Sequence, residues 1–213
     1  EGSAYEANND QQYGFQVGVK PAGKQFTART TLKSPLPDTP VDNQSQGFYV
    51  GTGDQDNYVK LIASANGGDG GIQFAKEVDG TFEIVAEPTV TDVTSAQTLD
   101  LYMTVDPAND TITAAYSIDG GQNVTVGTTS FPGEWAADPD QGLALGVIAT
   151  SRGPGDQFSG TWSRLVASSG TLSSGNQPPT ADFDYSPVSP EAGETIAFDA
   201  SPSSDVDGSI QSY

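Results

Sequence analysis

Short runs in which apolar and polar residues alternate recur along this chain every 8 to 15 residues, separated by clusters of Gly, Asp, Asn and Pro. A period of two sends successive side chains to opposite faces of a sheet. No ten-residue stretch carries the 3.6-residue period of a helix. Residues 13–19 put Tyr13, Phe15, Val17 and Val19 on one face, and residues 24–33 do the same with Phe26, Ala28, Thr30 and Leu32. Strands are also expected at 46–52, 57–65 and 71–78. In the run 57–65, Tyr58, Lys60 and Ile62 oppose Val59, Leu61 and Ala63. Asp79-Gly80, between 72–78 and 81–86, is a two-residue hairpin signal. A second hairpin joins 99–105 to 111–118 through the turn at 106–110, and a third turns at Asp119-Gly120-Gly121 into 122–126. Residues 142–150 and 158–167 close the series, while Pro35, Pro37 and Pro40 make 34–45 a loop. The pattern predicts an all-β antiparallel sandwich or barrel.

The charge narrows the chemistry. Among 213 residues there are 20 Asp and 8 Glu against 5 Lys and 3 Arg, a formal net charge of -20. Phosphate recognition needs clustered Lys and Arg, so no nucleic acid is expected as a partner. With no apolar run near the 18 residues of a spanning helix, no membrane insertion is expected either. There is no cysteine and no histidine. Disulfides, thiolate metal sites, Cys nucleophiles and imidazole bases are therefore excluded. The acids are spread along the whole chain, which fits adaptation to high salt, where screening is short-ranged. They also permit calcium sites, which want carboxylate and carbonyl oxygens.

Composition changes near Ala167. The run SSGTLSSGNQPP is a linker by composition, and after it come seven acids and no base. The expected organisation is a sandwich over 1–167, a linker over 168–178 and a second module over 179–213. Glu1 is not an initiator Met, so a processed or excised piece is expected.

The second module carries Pro178-Pro179, Ala181, Phe183, Pro187, Gly193, Phe198-Asp199-Ala200-Ser201 and Ser204-Asp205-x-Asp207-Gly208. Across 176–213 it resembles the first half of a polycystic kidney disease (PKD) repeat, which implies part of an immunoglobulin-like β-sandwich. The larger segment has Phe26-Thr27-Ala28-Arg29, Gln46-Gly47-Phe48-Tyr49-Val50-Gly51, Asp54-x-Asp56-Asn57-Tyr58-Val59-Lys60-Leu61 and Phe158-x-Gly160-Thr161-Trp162. Over about 13–167 it resembles concanavalin A-like jelly rolls, of the type at the C-terminus of β-xylosidases. The resemblance implies a secreted protein of haloarchaeal type, in which such domains stand beside PKD repeats.

Candidate sites follow from residue chemistry. Asp54, Asp56 and Asn57, in a short loop between strands, could offer oxygen ligands to Ca²⁺, or simply form an Asx-rich turn. The PKD resemblance implies a second calcium site from Asn176, Asp205 and Asp207. Tyr58 and Trp135 are the candidate ligand-binding rings. An aromatic face stacks on a sugar, and Trp135 follows the loop signal Phe131-Pro132-Gly133. Glu77, Asp79 and Glu83 resemble the carboxylate strand of laminarinase-type hydrolases, but Asp79-Gly80 breaks the run and the spacing is one residue too long. They read as solvated hairpin charges. The glycines at 67–71 lack the Lys and Ser/Thr of a phosphate loop.

The sequence thus leads to an extracellular, non-catalytic carbohydrate-binding or adhesion module of a larger secreted or cell-surface protein from a halophile. Its expected partners are a glycan or cell-surface polymer, other copies, or neighbouring domains. The alternatives are a surface-layer or filament component, and an accessory domain of a secreted glycosidase or sugar dehydrogenase whose catalytic domain lies elsewhere.

Overall fold

The computed structural model describes residues 4–11, 14–41, 43–137, 142–150, 158–170, 182, 184–189 and 195–203. The chain divides into two compact units, 1–172 and 173–213. The first contains strands β1 (Ala4–Tyr5), β2 (Asn8–Asn9), β3 (Phe15–Val19), β4 (Phe26–Lys33), β5 (Ser45–Gly51), β6 (Tyr58–Ser64), β7 (Gly71–Val78) and β8 (Thr81–Ala86). It continues with β9 (Thr98–Asp106), β10 (Thr111–Ile118), β11 (Val124–Ser130), the single turn α1 (Glu134–Ala137), β12 (Leu143–Thr150) and β13 (Trp162–Ser169).

Two antiparallel sheets face one another. One has the order β3-β12-β5-β6-β7-β8 and the other β11-β10-β9-β4-β13. Sequence neighbours are often not spatial neighbours: β4 lies between β9 and β13, and β12 between β3 and β5. The chain therefore crosses between layers repeatedly, as a jelly roll requires. The all-β sandwich expected from the alternation is the fold observed.

The alternation also decides which side chains fill the interior. Phe48, Leu61, Ile72, Phe74, Leu143 and Leu145 from the six-stranded sheet meet Leu32, Leu99, Leu101, Met103 and Ile112 from the other, all nearly or fully buried. A fully buried Leu, Ile or Phe side chain contributes about 1.5–3 kcal/mol relative to exposure, so this layer dominates the stability of the unit. Tight turns keep the strands in register. Asp79 and Gly80 both take positive φ, 49° and 70°, matching the twist of the hairpin β7–β8.

One part of the pattern ends differently. Phe15 and Val17 share the inward face of β3, yet they are 59% and 41% exposed. β3 is the edge of a six-stranded layer opposed by only five strands, and no described residue covers its end.

On the outer face of the five-stranded sheet, Thr27, Thr104, Thr113 and Thr128 stand in register on β4, β9, β10 and β11. Their hydroxyls join in pairs, Thr27 to Thr104 at 2.9 Å and Thr113 to Thr128 at 2.8 Å. Beside this row, Arg29 forms a two-pronged pair with Asp100, at 3.2 and 2.8 Å, and its guanidinium lies 5.2 Å from the centre of the Tyr102 ring.

In the second unit, β14 (Asp184–Ser186) pairs antiparallel with β15 (Ala197–Asp199), and the Tyr185 and Phe198 rings are 6.3 Å apart. Ser203 Oγ closes the pair's open end, accepting from the Asp182 main-chain N–H at 3.0 Å and donating to its carbonyl at 2.7 Å.

Candidate functional site

Along the six-stranded sheet, the residues that do not enter the core form a second, outward surface. In β6 these are Tyr58, Lys60, Ile62 and Ser64. Their register partners are Gly51, Tyr49, Gly47 and Ser45 on β5, and Glu77, Ala75, Gln73 and Gly71 on β7. β8 adds Phe82 opposite Glu77 and Ile84 opposite Ala75. A strand apolar on both faces, as β6 is, needs cover on both.

Part of that cover comes from the N-terminal hairpin, which the alternation did not reveal because its strands have two residues each. The Tyr5 ring sits 4.8 Å from that of Phe82, and the Tyr58 hydroxyl hydrogen-bonds the Ala4 carbonyl. Asn9 Nδ2 donates to Asp56 Oδ1 at 2.6 Å, and the Gln11 N–H to Gln55 Oε1 at 2.9 Å. Lys60 places its ammonium 5.0 Å from the centre of the Phe82 ring.

Between these groups lies a cavity of about 620 Å³, lined by Tyr5, Tyr58, Lys60, Ile62, Gln73, Phe82, Ile84 and Glu87 with Asn43, Ser45, Ser64 and Asn66 at its borders. Gln73 Nε2 donates to Glu87 Oε1 at 2.6 Å, which fixes both amide and carboxylate at the wall. A second depression of about 250 Å³ is lined by Gln16, Tyr49, Asp54, Gln55 and Tyr58, among others. Ala4, Gln11, Tyr58, Lys60 and Ile148 line both. The arrangement offers rings, aliphatic surface and oriented polar groups side by side, which is how protein surfaces hold small polar ligands with apolar faces.

Glu77 corrects the reading of the hairpin acids as solvated. Its residue exposure is 0%, although Glu83 does reach the surface and pairs with Lys76 at 3.3 Å. Asp79 forms the turn. Glu77 Oε2 lies 2.8 Å from the Tyr58 hydroxyl, and Oε1 has no well-formed hydrogen bond among the described residues. Burial pushes the Glu77 carboxyl above its ordinary range and Asp56 adds to that, while Tyr58, the Glu6 main-chain N–H and Lys60 oppose it. The Tyr58 phenol is pushed up strongly, first by burial and then by Glu77.

Of the residues singled out in the sequence, Tyr58 lines both depressions. Trp135 does not join it. It stands on α1, partly buried, edge-on to Phe131 with ring centres 5.3 Å apart. Asp54, Asp56 and Asn57 are together in the β5–β6 loop, where Asp54 Oδ1 accepts from the Asp56 N–H at 2.9 Å and Oδ2 from Thr52 Oγ1 at 2.7 Å. Asn57 Oδ1 accepts from the Asp79 N–H at 3.0 Å. Asp54 thus closes its own loop, as in an Asx-rich turn, while Asp56 and Asn57 tie that loop to Asn9 and to the β7–β8 turn. Among the described residues no three acidic side chains gather as a metal-binding group. Asn176, Asp205 and Asp207 lie outside the described residues.

No protein-family model matches the chain, and no curated protein does. Solved structures do. A mutant of the GH43 protein BlXynB from Bacillus licheniformis superposes with a TM-score of 0.55 at 16% identity, over 68% of this chain and 28% of that one. The fold is shared; the sequence is not. A functionally unknown protein from Saccharomyces cerevisiae gives 0.52 at 14% identity, over 75% of this chain and 74% of that one. The CBM2 module of the evolved Dit of Lactobacillus casei BL23 phage J-1 gives 0.52 at 8%, over 72% and 67%. This chain spans less than a third of the BlXynB chain. These likenesses establish the β-sandwich.

Proposed function

We propose that the first unit is a non-catalytic carbohydrate-binding module of a secreted or cell-surface protein, and that the outer face of its six-stranded sheet is the glycan platform. The observation that carries this is the 620 Å³ cavity, where Phe82 and Ile84 stand beside the oriented pair Gln73–Glu87. Pyranose rings present apolar C–H faces and a rim of hydroxyls, and this lining answers both. The fold shared with part of a GH43 chain and with a CBM2 module supports the assignment. A net charge of -20 directs it toward neutral rather than anionic polymers and suits a saline setting. The second unit is proposed as a PKD-type spacer on the strength of its sequence.

The test is affinity electrophoresis of the chain against a panel of neutral polysaccharides, with hydrolysis followed in parallel. Retardation by at least one polymer, weakened several-fold by Phe82→Ala, is expected. A folded protein retarded by none of them, or one releasing reducing sugar, would overturn the proposal.

A further inference from the structure

The N-terminal hairpin pairs with neither large sheet; β1 and β2 form a sheet of their own. What holds the hairpin are contacts to the outer face: Tyr5 on Phe82, the Ala4 carbonyl on Tyr58, the Glu6 main-chain N–H on Glu77 and Asn9 on Asp56. Ala4 also lines both depressions, so the hairpin crosses what would otherwise be one longer groove.

Beneath it lies a proton-counting constraint. The Tyr58 hydroxyl carries one proton and faces two partners, the Ala4 carbonyl and Glu77 Oε2 at 2.8 Å. A carbonyl only accepts. With the phenol proton on Ala4, the hydrogen between Tyr58 and Glu77 must come from a protonated carboxyl. If Glu77 loses its proton, its carboxylate takes the phenol's, and the Ala4 carbonyl is left against a lone pair. With Glu77 protonated in the closed form, opening the hairpin would let its carboxyl lose that proton to solvent.

We propose that residues 4–9 are a pH-sensitive strap over a single extended ligand groove, latched while Glu77 is protonated and released when it ionises. The ligand class, an extended neutral polysaccharide, rests on the function proposed above; the latch does not. The groups facing Glu77 are Tyr58 and Lys60 on β6, Asp56 before it, and the Glu6 main-chain N–H on the hairpin, with Tyr5 facing Tyr58. The Tyr58 hydroxyl, the Glu6 main-chain N–H and Lys60 favour the carboxylate, and Asp56 disfavours it. Burial of Glu77 beneath the strap sets the direction: the closed form binds the proton more tightly, so closure weakens as pH rises.

The experiment is two-dimensional amide NMR of the ¹⁵N-labelled chain between pH 4 and 9, for wild type, Glu77→Gln and Tyr5→Ala. Wild-type signals of residues 4–11 should move together through one transition above the ordinary glutamate range, while core amides of β9 stay put. In Glu77→Gln the amide donates permanently to Tyr58, so the transition should vanish with the strap closed; in Tyr5→Ala the strap should be open throughout. A wild-type strap that does not titrate, or a Glu77→Gln strap that titrates like wild type, would overturn the latch. Oligosaccharide affinity measured on the same samples should be tighter for Tyr5→Ala than for wild type at pH 5 if the groove is glycan-binding. An absence of glycan binding, with the NMR transition intact, counts against the ligand alone.

Discussion

The ring of Tyr49 lies across Gly146. A Cβ at Gly146 would stand 2.3 Å from Cζ of that ring, whose hydroxyl donates to Gln16 Oε1 at 2.6 Å. A missing side chain on β12 therefore lets an aromatic from β5 lie flat against the outer face.

Gly146→Ala is expected to leave the fold intact, because the atoms in its way belong to the movable end of a surface side chain. It should instead lift Tyr49 and break its bond to Gln16. Thermal melts should differ from wild type by no more than about 1 kcal/mol, less than the usual cost of overpacking a core. Affinity for a bound oligosaccharide should fall, as read by titration calorimetry.

Gly47→Ala is the contrasting case. Its Cβ would meet the Leu61 carbonyl oxygen at 2.3 Å and Ile62 Cα at 2.6 Å, both main-chain atoms of β6. The two strands would have to separate, and Trp162 Nε1, which donates to the Gly47 carbonyl at 3.1 Å, would be dragged with them. Urea unfolding should show a loss at or above the top of the overpacking range of about 1–3 kcal/mol.

Arg29→Ala should destabilise the unit through what it leaves behind. The Asp100 side chain is 9% exposed and would lose its two-pronged partner while keeping its bond from Thr31. Breaking a fully buried pair costs about 3–5 kcal/mol, and the 32% exposure of the Arg29 side chain places this one lower, at about 2 kcal/mol. Arg29→Lys should recover only part, since an ammonium cannot hold both carboxylate oxygens as the fork does.

For Glu77 the sign is opposite to that of an ordinary paired carboxylate. Its folded-state pKa is raised above the unfolded value. The folded form therefore binds more protons, and the stabilisation is present at low pH and lost as pH rises through the raised value. Plotted as wild type minus Glu77→Gln, stability should decline above the ordinary glutamate range. A flat difference across that interval would remove the effect.

Salt should stabilise the chain. With 28 acids and 8 bases, repulsion within the compact state is relieved as the screening length shrinks to about 3 Å at 1 M. The melting temperature is expected to climb by several degrees between dilute buffer and molar potassium chloride, as followed by circular dichroism.

The sandwich was legible because its signals are local. Phe26, Ala28 and Leu32 fall two or four residues apart and all are buried, and Asp79-Gly80 sits where the hairpin turns. The site was only half legible. Tyr58 could be picked out as an aromatic on a strand and Glu77 as one of three hairpin acids, but Tyr5, Phe82 and the burial of Glu77 could not. The burial of Glu77 is imposed by residues about seventy positions earlier, in strands too short to show a period. One signal was present: Tyr58 and Ile62 alternate with Val59, Leu61 and Ala63, giving β6 two apolar faces where a sandwich strand needs one.

The threonines of the five-stranded sheet set a boundary on all of this. Four of them span β4, β9, β10 and β11, pairing their hydroxyls across the strands, with Thr27 also reaching the Gly170 carbonyl at 3.0 Å. Such pairs are worth roughly 0.2–1 kcal/mol each and carry no charge to screen or titrate. Across that row, cohesion is indifferent to brine and acid alike. On that face, then, the Thr row supplies a neutral cross-strand tie beside an ion pair, Arg29–Asp100, that salt and acid can reach.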